Sequence, residues 1–392
     1  MILYDMIAYN KTWLEYDWIH EQMDEAFYET CIERDELTSV KKIYEKGFYT
    51  PQFLIAIGLF IVSVIVILFS FGLMATFFPI SGTKATFGIE CLFFSSAAYG
   101  GLEWIVQKRH FRSGVDEALI WASAIFLFAG INFCFEISPT SNAAIIVALS
   151  LWYTLRFLES LFTVVGFLAV LGFMILWLEK GGEFFKALIP IATIMVSLIF
   201  FFLTAWFRQL EAIKFYRKCF MMVEIAALLC IYLASNFYVV TELGKLYLHL
   251  DASYAGRIPA DRIYWALTFI IPAAYIIVGI IRKEPILLRV GLACLTLTIF
   301  TVRHYFHLLP IETLMIISGT ILIIVSYSLL RWLRVPRHGF HLHEGFRQRS
   351  RPKRQIESIL ISQLLGTQKS GSSETKSFGG GTGGGSGAGG NY

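Results

Sequence analysis

Nine side chains in this sequence are ionisable groups set inside, or at the ends of, long apolar runs: Glu90, Glu103, Glu136, Arg156, Glu159, Glu224, Arg303, His304 and His307. A charged group in hydrocarbon is costly, so each is a candidate for a proton, ion or substrate path; structural pairing or placement at a membrane interface is the competing use. Arg156 and Glu159, three residues apart, can pair on one helix face. Glu90 and Glu103 are thirteen residues apart on one predicted helix, about 220° around its axis, and cannot share a face. His304 and His307 can point the same way, with Glu312 just past Pro310, but a metal site needs at least one more ligand. The group His338, His341, His343 and Glu344 falls in a polar stretch and carries less weight.

Other chemistries lack their residues. There is no GxSxG, HExxH or GxxxxGK[ST] pattern, which removes support for the familiar serine, zinc and P-loop sites. No Asp falls within a predicted span, which argues against an intramembrane aspartyl protease. Six cysteines, Cys31, Cys91, Cys134, Cys219, Cys230 and Cys294, form no CxxC pair and read as small hydrophobes. The sequence therefore assigns no catalytic residue, cofactor or metal, and ranks enzymatic chemistry behind transport and scaffolding.

These groups must be positioned by helices that cross a bilayer. Of 392 residues, 56% are apolar and 16% charged, against about 25% charged in soluble domains. From Gly47 to Thr83 there is no Asp, Glu, Lys, Arg or His. Roughly 20 apolar residues suffice to span a bilayer. Apolar runs bounded by charges and turn formers predict an all-α, polytopic bundle of about ten transmembrane helices: Phe53–Phe78, Phe87–Val106, Ala118–Ile137, Asn142–Leu155, Leu161–Leu178, Phe184–Trp206, Phe220–Val240, Ile263–Ile281, Pro285–Thr301 and Ile311–Leu333. The division of residues 143–178 rests on the polar group Arg156, Glu159 and Ser160. Pro190 and Pro272 fall inside spans and are expected to kink them.

Three domains follow: residues 1–50, an acidic helical hairpin; 51–333, the transmembrane bundle; and 334–392, a basic and then glycine-rich disordered tail. Lys and Arg concentrate in the loops that share a side with the N-terminus. An even number of spans then places both termini in the cytoplasm, with the protein in the inner membrane. The first fifty residues are acidic and polar, unlike the basic start of a signal peptide. Thr12 and Glu15 predict a capping box, with Trp13, Tyr16, His20, Met23 and Phe27 on one helical face. A second short helix is expected through Val40, Ile43 and Tyr44. The aromatic face needs a cover, either the cytoplasmic end of the bundle or a separate protein. The basic tail, with Arg347, Arg349, Arg351, Lys353 and Arg354, suits anchoring beside lipid headgroups; nucleic acid is not an expected partner. Nine glycines among residues 379–392 predict disorder.

The run SVKKIYEKGFYTPQFLIAIGLF carries a short helix directly into the first span, and KRHFRSGVDEALIWASAIFLFAGI carries a basic loop into an acidic helix start. In these features the first 140 or so residues resemble the bacterial predicted membrane proteins of domain of unknown function 2157. The ending SFGGGTGGGSGAGGNY is similar to the glycine-rich, aromatic-ended tails of various bacterial membrane proteins. The resemblance implies a polytopic membrane fold and no particular activity. Expectation is thus divided between a transporter- or channel-like protein and a non-catalytic scaffold or sensor acting through its N-terminal helices.

Overall fold

The structure, a computed structural model, describes residues 6–28, 31–45, 47–77, 84–248, 261–282 and 284–306, with isolated positions from 313 to 331. The chain divides into two compact units, one comprising Met1–Phe27 and Cys31–Ile316, the other Tyr28–Thr30 and Ile317–Tyr392. Of the second unit, the described positions past Ile316 are helical, and Ile323, Ile324 and Tyr327 are exposed. The histidine group at 338–343, the basic tail and the glycine-rich end lie outside the described residues, as does most of the expected tenth span. Everything below concerns the first unit.

Two helices precede the bundle, α1 (Lys11–Tyr28) and α2 (Arg34–Ile43). The cap of α1 is Asn10, whose Oδ1 accepts from the amides of Thr12 (3.0 Å) and Trp13 (3.4 Å). That corrects the expected Thr12 capping box: the chain enters the helix two residues earlier, where an asparagine serves the same purpose. The box motif occurs at α2 instead, where Glu33 and Glu36 satisfy each other's amides. The expected face of α1 folds partly onto the segment after α2. His20 Nε2 donates to the Tyr44 carbonyl at 2.6 Å, and the rings of Tyr16 and Tyr44 meet edge-on, as do those of Trp13 and Phe48.

The bundle is a series of antiparallel hairpins. Helix α3 (Phe53–Phe77) leads in; α4 (Lys84–Gln107) pairs with α5 (Val115–Cys134), and α6 (Pro139–Phe157) with α7 (Ser160–Glu179). After the short α8 (Glu183–Ala187), α9 (Ile189–Phe207) pairs with α10 (Arg217–Ser235). Helix α11 (Phe237–Leu248) leads towards the last pair, α12 (Asp261–Arg282) and α13 (Pro285–Phe306). α4 and α5 approach most closely at Gly88 and Gly130, where a Cβ on Gly88 would overlap Cys134 and one on Gly130 would overlap Leu92. Among the described residues there is no strand, only an isolated bridge between Tyr49 and His110.

Seven of these helices, α3, α5, α7, α9, α10, α12 and α13, are long and apolar enough to cross a membrane, the candidate span through α10 beginning at Ile213. The fold is therefore that of an all-helical, multi-pass membrane protein, with seven such helices described where about ten spans are expected. α4 carries Lys84, Glu90 and Glu103, and α6 begins with Pro139, Thr140, Ser141 and Asn142 and ends beside Arg156, so neither has a long enough charge-poor, strongly apolar run. The expected span Phe220–Val240 breaks at Asn236. Pro190 sits in the first turn of α9, where its missing amide leaves no bond unmade, and it does not act as a kink.

Candidate functional site

At one end of the bundle the N-terminal segment lies across three hairpin loops. The Ala8 amide donates to the Arg156 carbonyl (2.9 Å), and the Tyr49 amide donates to the Arg109 carbonyl (2.8 Å). Lys214 and Lys218 approach Glu15 and Glu21 at 3.2 and 3.0 Å, and Arg109 lies over the Trp13 ring. Exposed pairs of this kind are each worth only about 0–1 kcal/mol. The larger contribution is the buried cluster of Ile7, Tyr9, Leu14, Phe48, Phe111 and Phe157.

Asp116 organises this end. It is 1% exposed, and its carboxylate accepts from the Arg112 amide, the Ser113 amide and the Ser113 hydroxyl at 2.8–2.9 Å. These bonds hold a loop in which Arg109, Arg112 and Gly114 all have positive φ. Gly114 is required on a second ground, because a Cβ there would overlap the Ala56 carbonyl. The carboxylate also sits at the positive start of α5. Helix α5 begins at Val115, three residues before the expected span, so an Asp does lie within a candidate membrane helix. Its role there is structural. The Tyr9 hydroxyl reaches Asp116 Oδ2 at 3.5 Å, and burial beside that carboxylate holds the phenol well above its usual value.

Arg156 does not pair with Glu159. Its Nε and Nη2 both reach Glu103 Oε1 at 2.9 Å, tying α6 to α4, and Nη1 donates to the Met6 carbonyl at 3.4 Å. The pairing changes because Leu158 turns left-handed (φ 56°) and ends α6, so Glu159 leaves the face that carries Arg156. Glu159 caps α7 instead, accepting from the Leu161 amide at 3.3 Å. Burial, reinforced by Glu117 and Asp116, pushes its carboxyl up to about 7 against the partial opposition of the Leu161 amide and Arg112. The folded state thus binds this proton more tightly than the unfolded chain. Stability is fullest below the ordinary value of 4.5 and falls as pH rises towards about 7. Denaturation of Glu159→Gln in micelles across pH 4–8 is expected to show a flatter profile than wild type; an unchanged slope would assign the dependence elsewhere.

Glu224 lies seven residues into α10, about 10 Å from that helix's start. It is 1% exposed, and Arg208, at the end of α9, places Nη1 3.2 Å from its Oε2. The approach is a charge contact without hydrogen-bond alignment, so Oε2 has no aligned donor. Ser197, Thr204 and Arg208 follow one another at intervals of seven and four residues, which puts them on one face of α9. Ser197 and Thr204 are buried, and the Ser197 hydroxyl has no partner. A polar seam about 16 Å long therefore enters an otherwise apolar contact containing Phe167, Leu171, Val223 and Ala227.

A second buried network surrounds the break at Asn236. This residue has extended backbone, and its Oδ1 accepts from the amides of Tyr238 (3.0 Å) and Val239 (3.3 Å), capping α11. In the neighbouring helix, Pro272 cannot donate to the Thr268 carbonyl one turn earlier. The Thr298 hydroxyl does so from α13 at 3.0 Å. With its proton on a carbonyl, Thr298 must accept from Tyr232, which in turn accepts from Asn236 Nδ2, each contact being 2.8 Å. The Thr268 hydroxyl meanwhile accepts from the Phe237 amide at 3.0 Å. Helix break and proline thus satisfy each other through side chains and amides of four helices, as backbone irregularity at membrane depth requires. Thr298→Val keeps the shape but strands the Thr268 carbonyl. A loss of about 1–3 kcal/mol is expected in denaturant titration, and no loss would mean that the carbonyl finds another donor.

The remaining predicted groups are dispersed. Glu136 is exposed beyond the end of α5, and Glu90 is buried in α4. Arg303 and His304 lie in the last turn of α13, with the exposed His304 ring 4.7 Å from that of Tyr238. His307 and Glu312 lie outside the described residues. Among the described residues no group of three or more His, Cys, Asp or Glu could hold a metal ion, and none of the six cysteines is in a disulfide. Sequence reasoning missed Arg208, Asp116, Ser197 and the Asn236 network. For Asn236 a signal existed: a cap-forming residue interrupting an apolar run. For Arg208 there was none, because its partner is sixteen residues away across a loop. No family model, curated protein or solved structure matches the chain.

Proposed function

We propose that this protein moves protons or small cations across a membrane along the α9–α10 seam, with Glu224 as the carrier carboxylate and Arg208 as its resident counter-charge. The carrying observation is the burial of Glu224: a carboxylate 1% exposed inside an apolar helix, with one incompletely aligned cation for company. Purely structural pairing is better exemplified by Arg156, which makes two contacts to Glu103 and a third to backbone. The concentration of Lys and Arg in one set of loops supports placing the N-terminal helices on the cytoplasmic side of a bacterial inner membrane, with both termini inside. Membership of the domain of unknown function 2157 group belongs to the same proposal. Full-length protein in liposomes is expected to carry a proton or alkali-cation flux that Glu224→Gln abolishes while the variant still folds. Undiminished flux in that variant overturns the reading.

A second reading, a scaffold or sensor, has one observation in its favour. α2 buries no residue, and an open groove of about 550 Å³ beside it is lined by Met23, Ile32, Val40, Asp35, Glu36 and Ser39. Trp13, Tyr16 and His20 of that α1 face already pack on Phe48 and Tyr44, so a partner would bind at this groove. Ile32→Asp with Val40→Asp in the groove would then abolish binding of a purified partner while leaving the buried cluster of Ile7, Tyr9 and Leu14 in place.

A further inference from the structure

The basic loop KRHFR, residues 108–112 between α4 and α5, takes no part in the α9–α10 seam. Two backbone bonds join it to the approach to α3: the Tyr49 amide donates to the Arg109 carbonyl, and the Phe111 amide donates to the Tyr49 carbonyl. This bridge fixes a level at one end of the bundle. Phe53, 76% exposed, follows Tyr49 by four residues and opens the first candidate span. Trp104, 60% exposed, precedes Lys108 by one helical turn, so it lies about 6 Å deeper along α4. The exposed ring of Tyr49 meets that of His110 edge-on at 5.1 Å. Exposed aromatic rings at the ends of membrane helices mark the boundary between hydrocarbon and headgroups. Lys108 and Arg109, one turn beyond those rings, therefore stand at the depth of lipid phosphate.

We propose that this loop binds the headgroup of an anionic phospholipid, with Lys108 and Arg109 as the partners of its phosphate. The inference rests on the membrane fold and is independent of the transport reading. Both side chains are exposed, and neither enters an ion pair among the described residues. The carboxylates at this end are engaged elsewhere: Glu103 by Arg156, Asp116 by the loop amides, and Glu15 and Glu21 by Lys214 and Lys218. Lys108 lies over the Trp104 ring, 5.7 Å from its centroid, and Arg109 over that of Trp13 at 5.0 Å, so both cations are held on aromatic faces. The amides of Lys108, Arg109 and His110 bond back to carbonyls of residues 104–106, which leaves recognition to the side chains. Asp116 fixes the loop from its far end, and Arg109 is itself at positive φ. Charge selects the lipid. Exposed Trp104 and Phe53 accept any acyl chain, whereas two unpaired cations favour a net negative headgroup over zwitterionic phosphocholine.

The test is quenching of Trp104 fluorescence by lipids with brominated acyl chains. Full-length protein is placed in vesicles of equimolar phosphatidylcholine and phosphatidylglycerol, with bromine on one lipid or the other. In each background the Trp104 signal is the difference between the protein and its Trp104→Phe variant. Brominated phosphatidylglycerol is expected to quench it more strongly than brominated phosphatidylcholine. One basic side chain near an anionic surface favours that surface by a factor of about five. The preference should therefore fall about fivefold in Lys108→Gln and vanish when Arg109→Gln is added. It should survive in Lys108→Arg, which guards against a folding defect, and weaken as KCl is raised. Equal quenching by the two lipids in wild type overturns the proposal, as does a preference unchanged in the double variant. A preference that inorganic phosphate removes at constant ionic strength overturns the lipid as occupant. The readout is lipid contact, so its failure leaves the Glu224 flux test untouched, and the reverse holds.

Discussion

Replacing Arg208 by methionine is expected to destabilise the protein by about 3–5 kcal/mol, because it leaves Glu224 buried with its charge uncompensated. Glu224 is 1% exposed, so water cannot take the place of the guanidinium. Glu224→Gln removes the charge and keeps the shape, and its cost is expected to be smaller, about 1–2 kcal/mol. Combining the two should recover much of the loss, because the double variant buries no ion. Denaturant titration of all four proteins in the same mixed micelles closes a double-mutant cycle. A coupling of about 2–3 kcal/mol is expected for residues in direct contact, whereas simple additivity would show that the 3.2 Å contact has no energetic consequence.

The second large effect is at Asp116. Asp116→Ala deprives two backbone amides and the Ser113 hydroxyl of their acceptor in a loop already held at three positive-φ residues. Each buried donor left unsatisfied costs about 1–3 kcal/mol, and a total of about 3–5 kcal/mol is expected after relaxation. The same loop carries the Tyr49 bridge, and the carboxylate receives Tyr9. Loosening it should therefore free the N-terminal segment, seen as faster proteolysis within residues 6–46. Asp116→Asn keeps one acceptor oxygen and should fall between alanine and wild type. A protease pattern identical to wild type in Asp116→Ala would separate the loop from the docking of the N-terminal helices.

The membrane helices were legible because their signal is local. A charge-free run such as 53–77 contains its own reason to be a span, whatever surrounds it. Most predicted cores fall on observed helices, and the cut between Leu155 and Leu161 falls at an observed turn. What escaped depends on contacts across the chain. Arg156 finds Glu103 fifty-three residues earlier because a left-handed Leu158 removes Glu159 from its reach, and no periodicity encodes that. Asn236 hid inside an apolar run because hydropathy averages over windows longer than a cap. Glu90 was identified by its charge in an apolar run, but its lack of a hydrogen-bond partner follows from packing across the chain.

The most direct test of transport through the seam is water access at Ser197, which is fully buried in this structure. Ser197→Cys in a background without the six native cysteines is placed in liposomes and exposed to a water-soluble methanethiosulfonate. Modification that stops the flux is the expected result, since the seam must admit water when it works. A thiol that stays unmodified while flux continues would route the ions elsewhere and contradict the assignment of Glu224 as their carrier.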